Sequence, residues 1–467
     1  MSLADPFTKP DLTDHLREQS LAIFQAGVAA ADPYQAVKNC LFSDGRNLEI
    51  LLNVESGEKR LGHWSRVHLI AFGKGACAMA KAAQELISQE KLASTGIAVT
   101  NYENVTPVAH FEVLGAGHPL PDSAGMNAAK KCLERLRHTK KEDLVLVLIS
   151  GGGSALLPYP VEGIELQEKV AVTNLLLASG ATINQINCVR KHLSQIKGGH
   201  LARLAWPADV HALILSDVLG DDLSAISSGP TVPDTSTYAE AIEVLTVKKL
   251  WHKMPGSVRQ HLEQGRLGLI PETPKAGDPA FTHTTSTLIG SNAISVKAML
   301  ETAKMFGYQV RMYSDKLSGE AKDVAEQLVM NTKQLIEKGL SEPLALLAGG
   351  ETTVTLTGNG RGGRNQELAL AFALAAERHG LTGVWTLLSA GTDGRDGPTD
   401  AAGGIVDRNT LQRLNDKAIN AQKMLDNNDS YHALANSQDL IITGATGTNV
   451  ADLLVLLIHP EHLKYHA

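Results

Sequence analysis

The chain has 467 residues, of which 43 % are hydrophobic and 20 % are charged, and its formal net charge is −7. This length exceeds what one hydrophobic core usually serves, so we expect two globular domains, and the net negative charge argues against nucleic acid or an anionic membrane as the main partner. No apolar run approaches the ~20 residues that span a bilayer and no secretory signal is apparent, so we expect a cytoplasmic protein.

The first half of the chain alternates buried apolar runs with amphipathic segments, after an initial helix predicted at 11–31. Apolar runs flanked by glycine are typical of strands buried on both faces of a parallel sheet. The predicted strands are 67–72, 96–100, 111–114, 144–149 and 210–215. The segments between them predict helices, one of them continuous over 185–204. This alternation predicts a Rossmann-like, doubly wound αβα domain over residues 1–245.

A second α/β pattern follows a stretch rich in serine, glycine and proline, which predicts a domain junction between residues 235 and 285. Its predicted strands are 285–289, 310–313, 344–348, 352–356, 384–389 and 453–458, and its predicted helices are 293–306, 319–337 and 365–378. We therefore expect a smaller C-terminal α/β domain over residues 280–467.

Glycine-rich loops follow two predicted strands of the first domain. Their residues are Gly73, Lys74 and Gly75 after strand 67–72, and Ser150, Gly151, Gly152, Gly153 and Ser154 after strand 144–149. Glycine lets the backbone take positive φ and approach a ligand, and amides exposed beside a helix start bind phosphate or carboxylate. Lys74 adds a cation suited to a phosphoryl group. We predict that these residues bind the anionic groups of a ligand.

The first of these loops has an alternative interpretation. The segment 73–78 fits the dinucleotide fingerprint G-x-G-x-x-A between a strand and a helix. That fingerprint also needs an acid near the end of the second strand, and Glu103 is the nearest one after strand 96–100. An NAD(P)H-dependent reductase therefore stays open as an alternative.

The segment 357–367 of the second domain contains four glycines and two arginines, and it leads directly into an apolar helix. An arginine at a helix N-terminus conflicts with the positive end of the helix dipole. A bound anion between them removes this conflict, which favours a functional site. We predict Arg364, the nearer of the two to the helix, as a catalytic cation and Arg361 as a further phosphate ligand.

Acidic loops follow one predicted strand in each domain. Asp217 and Asp221 follow strand 210–215, and Asp393 and Asp396 follow strand 384–389. Carboxylates on tight loops suit Mg²⁺, which needs only one or two of them, although Asx turns explain such loops nearly as well. Lys191 is a candidate for a further anion-binding cation, or it belongs to the solvated face of a helix.

Short motifs recur in order along nearly the whole chain. They are FGKGA at 72–76, GHPLPD at 117–122, ISGGGSAL at 149–156, RKHLS at 190–194, SDVLGDD at 216–222, SGPT at 228–231, GGETTV at 349–354, GGRNQE at 362–367, AGTDG at 390–394 and TGTNV at 446–450. In these motifs the sequence closely resembles the class II glycerate kinases, which are glycerate 2-kinases with a MOFRL-type C-terminal domain.

The resemblance implies transfer of phosphate from ATP, with Mg²⁺, to the 2-hydroxyl of D-glycerate, giving 2-phosphoglycerate. It also implies a Rossmann-like domain, a smaller C-terminal domain and an interdomain cleft, with Lys74 and Arg364 in the active site. Some relatives carry the label hydroxypyruvate reductase, which keeps the reductase alternative open. The expected partners are therefore a small-molecule substrate and a nucleotide, without nucleic acid or membrane, and a homo-oligomer is compatible with the sequence.

Overall fold

A computed structural model describes residues 11–44, 47–54, 56–218 and 220–463, and it divides the chain into two compact units. The first unit is Pro33–Gly290, and the second unit combines the residues up to Asp32 with those from Ser291 onwards. These units differ from the predicted domains 1–245 and 280–467 at both ends. The N-terminal helix belongs with the C-terminal half, and residues 246–290 belong to the first unit.

The strands and helices are numbered in chain order. The strands are β1 (Leu41–Ser43), β2 (Leu48–Leu51), β3 (Lys59–Gly62), β4 (Arg66–Phe72), β5 (Gly96–Asn101), β6 (Phe111–Ala116), β7 (Asp143–Ile149), β8 (Asp209–Leu215), β9 (Thr284–Gly290), β10 (Gln309–Leu317), β11 (Leu344–Gly350), β12 (Val384–Gly391), β13 (Gly403–Asp407), β14 (Leu440–Ile441) and β15 (Asp452–His459). The helices are α1 (Leu12–Ala30), α2 (Pro33–Lys38), α3 (Ala76–Leu86), α4 (Ser123–Leu136), α5 (Gly153–Leu156), α6 (Leu166–Ala178), α7 (Ile183–His192), α8 (His200–Ala205), α9 (Tyr238–Val247), α10 (Gly256–Arg266), α11 (Asn292–Met305), α12 (Ala321–Glu337), α13 (Arg364–Arg378), α14 (Thr410–Asn415), α15 (Ala421–Asp426) and α16 (Ser430–Ser437).

The central sheet of the first unit has six parallel strands in the order β6-β5-β4-β7-β8-β9. The strand order changes direction between β4 and β7, which pair directly from Arg66–Asp143 to Phe72–Ile149. In such doubly wound sheets, ligands bind outside the carboxyl ends of the strands at this switch point. The predicted doubly wound α/β fold is therefore confirmed, and its topology points to the loops that follow β4 and β7.

Side chains of β4 alternate between two cores because successive residues of a strand point to opposite faces of the sheet. Val67 and Leu69 pack in one core with α3, and Ile70 and Phe72 pack in the other with α4. All of these side chains are buried. Such two-sided burial is the physical reason that β4 and β7 are nearly continuous apolar runs.

Two predictions for the first unit are wrong. The strand expected to open the second domain is β9, which pairs in parallel with β8 at the edge of the first sheet. The helix expected over 185–204 is two helices, α7 and α8, because Gly198 and Gly199 take φ values of +59° and +82° between them. Neither strand partners nor a glycine's φ can be read from hydrophobic periodicity.

The second unit contains a mixed sheet in the order β10-β11-β15-β12-β13-β14, in which only β10 and β11 are parallel neighbours. One face packs against α1 and α11, and the other packs against α12 and α13. Arg17 of α1 bonds the buried carboxylates of Asp407 and Asp439, at 2.5 and 2.9 Å. This contact explains why α1 belongs to the second unit.

The strand predicted at 352–356 is not formed. After β11 the chain makes only an isolated bridge between Thr353 and Glu320. Its apolar residue Leu356 is exposed. The segment predicted as a strand therefore forms no ladder with another described strand. Separately, none of the described helices is both long and apolar enough to cross a membrane.

Candidate functional site

The loops after β4 and β7 are hydrogen bonded to each other. The Lys74 amide donates to the Gly151 carbonyl at 2.9 Å, and the Gly75 amide donates to Ser150 Oγ at 2.9 Å. Gly73 has φ +122°, and a Cβ there would lie 2.2 Å from Ser150 Oγ and 2.5 Å from the Ser150 carbonyl oxygen. Only glycine fits this position. The contact fixes Lys74 at the switch point of the sheet.

Three titratable side chains surround the glycines of the second loop. A Cβ on Gly151 would lie 2.1 Å from Asp217 Oδ2, so the Asp217 carboxylate lies directly against the backbone. A Cβ on Gly152 would lie 3.2 Å from His118 Nε2 and 3.4 Å from Lys74 Cγ. The structure therefore brings together Lys74 and Asp217, which were both predicted as site residues, and His118, which was not.

The charges of this group are coupled. Burial raises the pKa of Asp217, and the nearby Lys74 charge partly opposes that shift. Burial and the same Lys74 charge lower the pKa of His118, so its imidazole is neutral at neutral pH. No ion pair joins the Lys74 ammonium to a carboxylate within the described ranges. Lys74 is therefore held through its backbone, and its ammonium has no carboxylate partner among the described residues.

The second loop leads into α5, which is a single turn of four residues. So short a helix has little dipole, and the amides of the loop must supply any anion cradle. Gly152 has φ +85°, which turns the chain there. Ser154 Oγ lies 2.9 Å from Ser228 Oγ and is thereby tied to the segment after β8.

In the second unit, α13 begins at Arg364, and a carboxylate caps it. Asp396 accepts hydrogen bonds from the backbone amides of Asn365 at 3.2 Å and Gln366 at 2.8 Å. Burial raises the pKa of Asp396 to about 6, although these amide bonds favour its charged form. The anion expected at this helix start is therefore a side chain of the same unit. Both Asp396 oxygens are engaged, which does not support its prediction as a metal ligand.

The Arg364 guanidinium is ion paired. Its Nε and Nη2 donate to the two Asp452 oxygens at 2.6 and 3.0 Å, and its Nη1 lies 2.7 Å from Glu351 Oε1. Burial opposes the charge, but Asp452 and Glu351 outweigh it and raise the pKa of Arg364 above its ordinary value. Asp393 lies nearby, since a Cβ on Gly391 would be 3.2 Å from Asp393 Oδ1 and 3.4 Å from Asp452 Oδ1.

Arg361 is exposed and lies apart from this ion pair. Its guanidinium stacks over the Tyr431 ring at 4.6 Å from the centroid, and its Nε donates to the Pro398 carbonyl at 3.2 Å. The predicted phosphate-binding role of Arg361 therefore stays a prediction.

The chain is similar to proteins of known families. A family described as a domain of unknown function, DUF4147, matches residues 19–263, and the MOFRL family matches residues 344–452. The chain is 41 % identical to a glycerate 2-kinase of Pyrococcus horikoshii, over 95 % of this chain and 97 % of that one. It is 42 % identical to a D-glycerate 2-kinase of Thermotoga maritima, over 95 % and 99 % of the two chains.

The chain belongs to the MOFRL-containing glycerate 2-kinase family. A solved structure of Thermotoga maritima glycerate kinase matches it with a TM-score of 0.84 at 40 % identity, over 96 % of this chain and 100 % of that one. A protein of Agrobacterium vitis named putative hydroxypyruvate reductase is 40 % identical over 93 % of each chain. The resemblance inferred from the sequence motifs is thus confirmed.

Two predicted site residues, Lys191 and Asp221, belong neither to the group around Lys74 nor to the ion pairs of Arg364. The Lys191 ammonium is buried and lies 3.2 Å from Asp234 Oδ1, so it already has a counterion. Asp221 lies in a turn with φ +55°, where its amide donates to the Val218 carbonyl.

Sequence reasoning missed His118, Glu351 and Asp452. His118 and Glu351 lie inside family motifs, at 117–122 and 349–354, but neither was selected. Asp452 opens β15, and its register partners are the glycines that end β11 and β12, Gly350 and Gly391. In the sequence, an acid before an apolar run indicates only where a strand begins. The pairing that brings it to Arg364 needs the sheet topology.

Neither cavities nor metal clusters add a further site here. A cavity of about 1070 Å³ in the first unit is lined by residues of 121–137 and 159–174 and by Gln195, and none of the predicted site residues lines it. Within the described ranges, no group of three or more histidine, cysteine, aspartate or glutamate side chains is arranged to hold a metal ion.

Proposed function

We propose that this protein transfers phosphate from ATP to the 2-hydroxyl of D-glycerate, giving 2-phosphoglycerate. Family membership supports the reaction class, and the observation that carries the proposal is the position of Lys74. Its backbone is hydrogen bonded at the switch point of a doubly wound sheet, its side chain passes beside Gly152, and it forms no ion pair with any described carboxylate. A cation placed there is suited to a ligand's phosphates.

Phosphoryl transfer has a loose transition state, so positioning and charge neutralisation contribute more than covalent chemistry. The amides of the glycine loops bind phosphate oxygens, and Lys74 stabilises the charge on the transferred group. The glycerate hydroxyl attacks the terminal phosphorus, the bond to ADP breaks, and the hydroxyl proton leaves to a base. Removing one such electrostatic donor typically costs ~2.7–4 kcal/mol in the barrier.

Arg364 is proposed as a second cation for anionic oxygens. A guanidinium has about five N–H donors, and the contacts with Asp452 and Glu351 engage three of its nitrogens. The remaining N–H groups stay free to meet a phosphate or carboxylate oxygen. Asp452 fixes the plane of the guanidinium, which limits the freedom lost when a ligand binds.

The Mg²⁺ expected from the resemblance fits Asp217 better than the other predicted acids. Asp217 lies against the Gly151 backbone, where the phosphates are proposed to bind, whereas Asp396 caps α13. Asp217 would hold the Mg²⁺ there, and the ion would supply charge neutralisation for the phosphate oxygens. Asp393 and Asp221 stay predictions.

The experiment is to mix the purified protein with ATP, Mg²⁺ and D-glycerate and to measure ADP release. Coupling to enolase with and without a phosphoglycerate mutase distinguishes 2-phosphoglycerate from 3-phosphoglycerate. We expect enolase-coupled turnover without the mutase, and loss of activity in EDTA. Oxidation of NADH with hydroxypyruvate, without ADP release from glycerate, would instead establish the reductase alternative.

A further inference from the structure

Three cations of the first unit lie close together beside the second glycine loop, and two of them are buried while Arg190 is partly buried. They are Lys169 of α6, Arg190 of α7 and Lys197 between α7 and α8, and the two lysines are 6 % and 2 % exposed. Their charges repel one another. Lys169 Nζ donates to the Leu193 carbonyl at 3.1 Å, and Lys197 Nζ reaches the Ser227 carbonyl at 3.4 Å.

These cations have no counterion within the part of the chain that the structure describes. No carboxylate is in ion-pair contact with Lys169, Arg190 or Lys197. The neighbouring Lys191 is equally buried, yet it is paired with Asp234 at 3.2 Å. Buried charges in proteins are normally paired, because an isolated one loses its hydration without compensation. A cluster of three that lacks a partner indicates an anion from outside the chain.

The pKa shifts of the two lysines agree with this geometry. Burial, together with the charge of Arg190, lowers the pKa of Lys169 to about 7. Burial also lowers the pKa of Lys197 well below its ordinary value, and Lys169 and Arg190 lower it further. A bound anion would reverse these shifts by favouring the charged amines.

Hydroxyl and amide groups border the same place. The Ser227 hydroxyl is buried without a hydrogen-bond partner among the described residues, and a Cβ on Gly153 would lie 2.3 Å from it. Ser228 Oγ lies 2.9 Å from both Ser154 Oγ and Asn187 Oδ1. Ser227 and Ser228 have positive φ, +50° and +61°, which strains a non-glycine backbone and is typical of ligand-binding turns.

We propose that Lys197, Arg190 and Lys169, with the Ser227 hydroxyl, bind an anionic carboxylate or phosphate group of a ligand at the Ser150–Ser154 loop. The identity of that ligand, D-glycerate or ATP, rests on the function proposed above, whereas the anion site does not. No residue of this cluster belongs to the group around Lys74 described earlier. The cluster therefore adds a second positive region to the same loop.

The test is thermal unfolding of the full chain with D-glycerate, ATP or inorganic phosphate, for the wild-type protein, Lys197→Met and Arg190→Gln. A ligand that binds only the folded state raises Tm. We expect both variants to lose the rise given by at least one ligand, and KM for that substrate to increase about 10- to 100-fold, the loss typical of a charge-assisted hydrogen bond. Loss with D-glycerate alone identifies a carboxylate site, and loss with ATP or phosphate identifies a phosphate site.

Lys191→Met is the matched control, since it removes a buried lysine that has a counterion. It should lower Tm without ligand and keep the ligand-induced rise. Lys197→Met should leave the Tm without ligand unchanged or higher, because it removes a buried amine that has no counterion. Unchanged ligand-induced rises in both cluster variants, or no rise in the wild-type protein with any of the three ligands, would overturn the anion site. ADP release by the wild-type protein judges the proposed function separately.

Discussion

Lys74 and Arg364 looked alike in the sequence, since each cation stands where a glycine-rich loop meets a helix. The structure shows that the surroundings of the two cations differ. Lys74 is fixed by its backbone and has no ion pair to a described carboxylate, whereas the Arg364 side chain is held by Asp452 and Glu351. A free ammonium gains a full ion pair when a ligand arrives, and a paired guanidinium offers an oriented donor instead. The same residue pattern can thus produce either a cation that lacks a counterion or a cation whose orientation is already fixed by ion pairs.

The largest effect is expected for Lys74→Met. Without a carboxylate partner to lose, the variant should keep its Tm, while kcat falls about 10²- to 10³-fold because an electrostatic contact to the transferred phosphoryl is lost. ADP release with D-glycerate measures the rate, and thermal unfolding measures stability. A kcat near the wild-type value would remove Lys74 from the chemistry and leave Arg364 as the main cation.

The next effect concerns the glycine that fixes Lys74. In Gly73→Ala, the new methyl would lie 2.2 Å from Ser150 Oγ at φ +122°. Crowding of this kind costs about 1–3 kcal/mol, and the left-handed backbone adds about 1–2 kcal/mol. Urea unfolding should therefore show a loss larger than that of Gly163→Ala, whose φ is +83° with no atom within 4 Å of the new methyl. Equal losses would show that the contact between the two loops is not tight.

The smallest effect concerns the carboxylates that hold Arg364. Asp452→Asn weakens a paired contact to a side chain that is only 10 % exposed, and we expect a loss of about 1.5–3 kcal/mol. Glu351 is 48 % exposed, so Glu351→Gln should change stability by less than about 1 kcal/mol. Chemical denaturation of both variants checks this order. A larger loss for Glu351→Gln would contradict the assignment of Asp452 as the main partner.

The elements of the first unit were largely predictable, because strands buried on both faces leave long apolar runs. The predicted strand 67–72 is β4 with one more residue, and 144–149 is β7 likewise. The anion-binding role predicted for the loops that follow them stays a prediction. The pairing order of the strands was not predictable in detail, because a strand's sequence does not indicate which strand it pairs with. For this reason β9 was assigned to the wrong domain.

The surroundings of Arg364 in the second unit were less predictable, because the carboxylates that pair with it are distant in sequence. The dipole argument correctly required an anion near Arg364, but it could not tell a ligand from the protein's own Asp396 and Asp452. Asp452 is 88 residues from Arg364 in the chain, and only the central position of β15 in the sheet brings them together. Long-range pairing of this kind carries no local pattern.

The discontinuity of the second unit has a consequence for biosynthesis. Helix α1 is translated before the first unit, yet the sheet that it covers lacks its central strand until β15, Asp452–His459, has been translated. The intervening unit, Pro33–Gly290, is contiguous and can complete its own sheet first. During that interval the apolar stripe of α1, with Leu16, Ile23 and Phe24, stays uncovered. Nascent chains stalled before β15 should therefore be the most chaperone-dependent form of this protein.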